Sequence, residues 1–235
     1  STTSARASGM DAIRNNQSHY CPSPGIPEFR EAAAEFVRTE FDIPAEAKNI
    51  VAGPGAKVFE QFFCETFLNP GDGVLVFSPY FPTYLPNIER RGARAVLTPL
   101  KQSNGFRPDI ADIERFLEED PSPRAIFLNS PHNPTGVVFT PDELAEVARI
   151  AIDNDLLVLS DEAYEHLWFD DHAHIPISTL PGMFERTVTI GSGGKTFSFT
   201  GWKVGWATGP ADLVSAVRTS RGTAPANAAP ARTIP

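Results

Sequence analysis

The chain has too little of several things to belong to whole classes of protein. Its 235 residues include only two cysteines, Cys21 and Cys64, too few for a disulfide framework, so a reducing cytoplasm is the default expectation. Basic residues are in the minority. Twenty Lys and Arg stand against 29 Asp and Glu, a formal net charge of −9, with no basic block to offset it. Such a balance argues against a nucleic-acid partner, whose binding draws on clustered Lys and Arg. No apolar run reaches the 18 residues of a membrane-spanning helix, and Ser1 to Met10, STTSARASGM, lacks the apolar centre of a signal peptide.

What is present is an alternation of short apolar runs with helical patterns, and no internal repeat. Candidate strands are Ile50–Ala52, Val74–Phe77, Arg94–Leu97, Ala125–Asn129, Leu156–Ser160, Thr187–Ile190 and Lys203–Thr208. Apolar runs of this kind suit strands buried on both faces, so the expected fold is α/β, a mostly parallel seven-stranded sheet with helices on both faces. Between the strands, Pro27–Phe41 begins with proline and an acid and carries Phe29, Ala33, Phe36 and Val37 on one face, a helix pattern. Thr140-Pro141-Asp142-Glu143 reads as a capping box opening a helix to about Asn154. After Val217 the chain becomes Ala/Pro-rich without apolar periodicity, and residues 218–235 are expected to be a disordered tail.

The segment with most chemistry is Gly191 to Trp206, GSGGKTFSFTGWKVGW. Lys195 lies among Ser192, Gly193, Gly194 and Thr196, with a second cation, Lys203, eight residues on. Small residues let the backbone approach a bound group closely, a hydroxyl and a cation suit a phosphate, and a lysine amine can form a Schiff base with a carbonyl. Together these parts describe a site for pyridoxal phosphate. A nucleotide-binding P-loop is the rival reading. It fails because its first glycine would fall at Thr189, and because Phe197 to Trp206 reads as turn and strand where the P-loop needs a helix.

Further segments point the same way. In order they are Tyr20 to Phe29 (YCPSPGIPEF), Gly55-Ala56-Lys57 opening a helix that ends at Asn69-Pro70-Gly71-Asp72, Ser78 to Tyr84 (SPYFPTY), Asn129 to Gly136 (NSPHNPTG) and Asp161 to Tyr164 (DEAY). With the lysine segment they resemble the class I/II aminotransferases, the fold-type I pyridoxal phosphate enzymes related to aspartate and kynurenine aminotransferases. The resemblance covers residues 20 to 206 and implies that residues 20–217 form the large, cofactor-binding domain, that residues 1–19 are the remnant of an N-terminal segment, and that the C-terminal small domain is absent.

The resemblance also implies roles. Lys195 would anchor the cofactor as an internal aldimine and shuttle a proton. Asp161, at the end of an apolar strand, would hold the pyridine nitrogen protonated, its bland alternative being a helix cap. Tyr164 and Asn133 would share the O3′ oxygen, against ordinary packing for the tyrosine and an Asn-Pro turn for the asparagine. By the same resemblance the Asn133–Pro134 bond is expected to be cis. Ser192, Lys203 and the backbone of Gly55, Ala56 and Lys57 would form a phosphate cup at a helix N-terminus. Lys203 stands where most relatives carry arginine, a point charge in place of a two-pronged fork. Phe81 would stack on the ring, or be a core aromatic. Tyr20 would reach the neighbouring subunit's phosphate in a homodimer, or be a surface tyrosine. Tyr80, Tyr84 and Trp168 are open between pocket and core. The implied reaction moves an amino group from an amino acid to a 2-oxo acid; the alternatives are elimination on the same fold, such as a C–S lyase, and a truncated cofactor-binding domain without catalysis. The substrate-carboxylate arginine of such enzymes has no counterpart in this chain.

Overall fold

The computed structural model describes residues 1–223. Its centre is a seven-stranded sheet of β1 (Ile50–Gly53), β2 (Gly73–Ser78), β3 (Arg94–Pro99), β4 (Pro123–Asn129), β5 (Leu157–Asp161), β6 (Thr187–Gly191) and β7 (Gly205–Thr208). In space they run β1-β7-β6-β5-β4-β2-β3. From β3 to β6 all pairs are parallel, while β7 lies antiparallel to both β6 and β1. All seven expected strands are present, with ends displaced by one or two residues. Strand β7 is shortened by two residues and starts at Gly205 because Lys203 takes a left-handed backbone (φ 54°) that no strand accommodates.

The helices are α1 (Thr3–Arg14), α2 (Pro27–Phe41), α3 (Lys57–Phe67), α4 (Tyr84–Glu89), α5 (Ile110–Glu119), α6 (Pro141–Asp153), α7 (Gly193–Thr196, a single turn) and α8 (Ala211–Thr223). The period-2 alternation of the strands sorts the core into two layers. Val74 and Val76 of β2, with Phe127 and Leu159, face Phe59 and Phe63 of α3, Ile88 of α4 and Val214 and Val217 of α8. Leu75 and Phe77, with Ile126, Leu128 and Val158, face Ile113 and Phe116 of α5 and Leu144, Val147 and Ala151 of α6. A third cluster fastens α2 at the β1–β7 edge through Ala33, Ala34, Val37, Ile50 and Trp206, and Arg30 donates to the carbonyls of Ile50 (3.1 Å) and Ala47 (2.5 Å) there.

Both local helix signals hold. α2 spans the expected residues, and the capping box at Thr140 and Glu143 forms in both directions. The C-terminal boundary requires correction. The chain does not leave regular structure after Val217, since α8 continues to Thr223. Val214 and Val217 anchor its buried face, and the helix propagates on from that anchor to Thr223 at little cost in nucleation. The rest of the expected tail, 224–235, lies outside the described residues. At the other end, α1, capped by the Thr2 hydroxyl accepting from the Ala5 N–H, was not anticipated within residues 1–19.

Parallel strands bring their carboxyl ends to one edge, where the crevices of open α/β sheets lie. Here that edge carries Asn129 of β4, Asp161 of β5, directly paired in the sheet, and Gly191 of β6 leading into Ser192.

Candidate active site

Asp161 is buried to 8% exposure. The Tyr84 hydroxyl donates to its Oδ2 at 2.6 Å and the Ala163 N–H donates to its Oδ1 at 3.2 Å. Burial pushes the Asp161 carboxyl above the ordinary carboxylate range; the two donors pull it back, and the charge of Glu162 adds a smaller upward push. Asn129 ties the neighbouring loop to this strand end. Its Nδ2 donates to the Asp161 carbonyl (2.8 Å) and its Oδ1 accepts from the Asn133 N–H (2.8 Å), which holds Asn133 beside Asp161. The Asn133–Pro134 bond is cis, as expected, and so are Ser78–Pro79 and Ser130–Pro131. His132 is buried against Thr135 (2.7 Å), and burial lowers its imidazole to about 4, so it is neutral.

The lysine sits on the single turn α7. Ser192 caps it by backbone alone, so its hydroxyl is not used in capping. The turn packs tightly on the segment that follows, because a Cβ at Gly194 would stand 3.0 Å from the Thr200 Cα. Lys195 is exposed, and its Nζ lies 5.2 Å from the centroid of the Tyr164 ring. The next residue anchors the turn from behind. The Thr196 hydroxyl bonds the buried Glu165 carboxyl and lies 3.0 Å from the Ser192 carbonyl. Burial raises the Glu165 carboxyl to about 7, against the opposing pull of Thr196.

The opposite wall is the turn into α3. Gly55 has φ 88°, a conformation that favours glycine, and Ala56 and Lys57 follow at the helix N-terminus, whose first N–H groups lack intrahelical acceptors. Strand β7 supports this turn at close range: a Cβ on Gly205 would come within 2.5 Å of the Gly55 carbonyl carbon and 2.6 Å of the Ala56 nitrogen. Lys203, which follows the short 3-10 turn Thr200–Trp202, lines the same cavity.

These pieces enclose one open cavity of about 460 Å³. Gly55, Ala56, Lys57, Phe81, Asn133, Asp161, Tyr164, Ser192, Lys195 and Lys203 all line it, so ten of the eleven expected site residues come together. Tyr20 does not; it is 96% exposed and lies outside this cavity. Two groups were missed. Glu60 of α3 is a buried acid in the cavity wall, and Tyr84, left open between pocket and core, is a buried partner of Asp161. Glu60 follows Phe59 and precedes Phe63 and Cys64 on a helix whose apolar face spans those positions, and that register is the signal that would have revealed its burial. Among the described residues no group of His, Cys, Asp and Glu could hold a metal ion. Chemically, the cavity brings together helix N-terminal N–H groups and cations suited to an anion, the buried carboxyls of Asp161 and Glu60, and the Lys195 amine.

The seven-stranded sheet and the helices around it have the fold of solved aminotransferases. The solved N-succinyldiaminopimelate aminotransferase of Mycobacterium tuberculosis superposes with a TM-score of 0.89 at 38% identity, over 93% of this chain and 57% of that one. The chain belongs to the aminotransferase class I and II family, whose sequence model matches residues 2–231. That match passes residue 217 and takes in most of the Ala/Pro-rich segment. A probable N-succinyldiaminopimelate aminotransferase of Mycobacterium tuberculosis is 39% identical over 90% of this chain and 53% of its own length. The rat kynurenine–oxoglutarate transaminase 3 is 43% identical over 88% and 48%. The chain thus spans about half the length of the curated relatives it matches.

Proposed function

We propose that this chain is the cofactor-binding part of a pyridoxal phosphate-dependent aminotransferase that moves an amino group from an amino acid to a 2-oxo acid. The observation that carries this reading is the convergence of Lys195, Asp161 and the anion-binding turn at Gly55 on one cavity. The donor set fits the cofactor's three polar ends. Ser192, Lys203 and the N-terminus of α3 suit a phosphate, Asp161 suits a protonated ring nitrogen, and Lys195 suits an aldehyde. Bound there, pyridoxal phosphate supplies an aldehyde that takes up amino groups and a ring that withdraws electrons from the carbon bearing them.

The residues divide the remaining work. Asp161, held by Tyr84 and Ala163, would keep a proton on the ring nitrogen. Tyr164 and Asn133 would donate hydrogen bonds to O3′, and Phe81 would cover a ring face. Lys203 contributes a point charge to the phosphate without the fork of an arginine. The Lys195 amine would hold the aldehyde and, once freed by the substrate amine, would serve as the base for the substrate Cα proton. The whole protein acts as a homodimer in the cytoplasm, and in that assembly Tyr20 reaches the neighbouring subunit's phosphate; its exposure in the single chain accords with that role. Among the described residues no helix is long and apolar enough to cross a membrane.

The test supplies pyridoxal phosphate, a panel of amino acids and 2-oxoglutarate, and measures amino acid product and ammonia separately. New amino acid formed from the 2-oxo acid supports the proposal. Ammonia released without an acceptor would replace transfer with elimination. A chain that binds the cofactor and forms neither product would confine its role to cofactor binding.

A further inference from the structure

Glu60 is an acid in the cavity wall to which the chemistry above gives no task. It lies in the first turn of α3 and is 1% exposed. The Thr83 hydroxyl (2.5 Å) and the Asn87 amide (3.4 Å), both from the α4 segment, donate to its Oε2. Asp161 differs, because each of its two oxygens accepts a hydrogen bond. Donors on both oxygens favour the ionised form; donors gathered on one oxygen leave the other able to carry a proton.

Burial raises the Glu60 carboxyl to about 8, and the charge of Asp161 is the second cause. Lys57, one turn back, pulls weakly the other way. The neighbouring titratable groups Tyr84 and Cys64 are both pushed up by burial and are neutral. Two carboxyl groups in one buried site do not both ionise readily. The hydrogen-bond pattern decides which of them keeps the proton.

We propose that Glu60 is a positioning residue of this site, which in the cofactor-free protein holds a proton beside Asp161, so that Asp161 is the single anion offered to the ring nitrogen of pyridoxal phosphate. The pairing of Glu60 with Asp161 is a property of the protein alone; its service to the ring nitrogen rests on the function proposed above.

The experiment has one arm for each part. Unfolding of the cofactor-free protein is measured from pH 5 to 9 for the wild type, Glu60→Gln, Asp161→Asn and the double variant. A carboxyl whose value is raised in the fold keeps a proton that the unfolded chain has lost, so its stabilisation is full at low pH and disappears as pH rises towards 8. The folding constant of the wild type relative to Glu60→Gln should therefore fall about tenfold per pH unit from roughly pH 5 to 8. Between Asp161→Asn and the double variant, the same fall should end at lower pH. Parallel profiles for wild type and Glu60→Gln would mean that Glu60 is ionised in the fold, and would overturn the proposal. A window unchanged by Asp161→Asn would mean that burial alone holds the proton, and would overturn the pairing.

The second arm titrates pyridoxal phosphate from pH 7 to 9. A cation beside Asp161 loosens the proton on Glu60, so the affinity of wild type relative to Glu60→Gln should rise with pH, by up to about tenfold. A constant ratio would overturn the role towards the ring nitrogen. Absence of binding by all four proteins, with the unfolding profiles as expected, would refute the proposed function and leave the Glu60–Asp161 pair standing.

Discussion

Replacing Tyr84 by phenylalanine removes one oxygen and asks whether Asp161 is built to be an anion. The ring itself should stay in place, because it packs edge-on against Phe127 (5.4 Å between centroids) and Phe81 (5.9 Å). What is lost is the 2.6 Å bond to Asp161 Oδ2, leaving the Ala163 N–H as the remaining donor on a buried carboxylate. A hydrogen bond to a charged group is worth about 1.5–3 kcal/mol. For a domain of this size, a loss near the middle of that range lowers Tm by about 4–8 °C. The pH dependence follows from the same bond. The Tyr84 hydroxyl pulls the Asp161 carboxyl down against burial, so in Tyr84→Phe the carboxyl is pushed up further. The deficit should be largest where wild-type Asp161 is ionised and should shrink as pH falls and Asp161 takes up its proton. Denaturant unfolding of both proteins across pH 4 to 9 measures it. A variant within about 0.5 kcal/mol of wild type at every pH, the range of an ordinary surface change, would refute the reasoning.

Two further outcomes are expected. Gly205→Ala should force the Gly55–Ala56 turn away from β7, since the new Cβ would stand 2.5–2.8 Å from three backbone atoms, two of the Gly55–Ala56 peptide and the Gly191 carbonyl oxygen; pyridoxal phosphate affinity, measured by fluorescence titration, should drop at least about tenfold if a displaced anion site loses one charged hydrogen bond. Glu165→Gln keeps the contact to Thr196 but cannot ionise. Wild type should lose about 3 kcal/mol relative to this variant between pH 4.5 and 7, because the folded carboxyl is raised to about 7 and holds a proton that the unfolded chain releases; unfolding curves at three pH values suffice to check it.

Much of the fold was legible because buried parallel strands are apolar throughout, as Val74 to Phe77 and Ala125 to Leu128 are, and turns separate them. The direction of β7 was not, since its residues Gly205 to Thr208 would read the same in either orientation and only the pairing with β6 and β1 sets it. Helix α1 escaped notice because it buries little beyond Gly9 and carries no apolar stripe. In the site, Lys195, Asp161 and Asn133 were visible because each sits in a short motif with unusual glycines, acids or prolines. Glu60 and Tyr84 were not, because an acid in a first helical turn ordinarily serves the helix dipole and a tyrosine at the start of a short helix ordinarily packs. Their hydrogen bonds exist only once β5, α3 and α4 have come together, which puts Tyr84 on Asp161 and Thr83 on Glu60.

The central claim is that Lys195 is the amine that holds pyridoxal phosphate in this cavity. The direct measurement incubates wild type and Lys195→Ala with pyridoxal phosphate, reduces both with borohydride, and maps the added mass by peptide mass spectrometry. The account predicts one stoichiometric addition on the peptide carrying Lys195, with a visible-edge absorbance band before reduction, and neither in Lys195→Ala. Labelling spread over surface lysines such as Lys48 and Lys101, equal in both proteins, would contradict it.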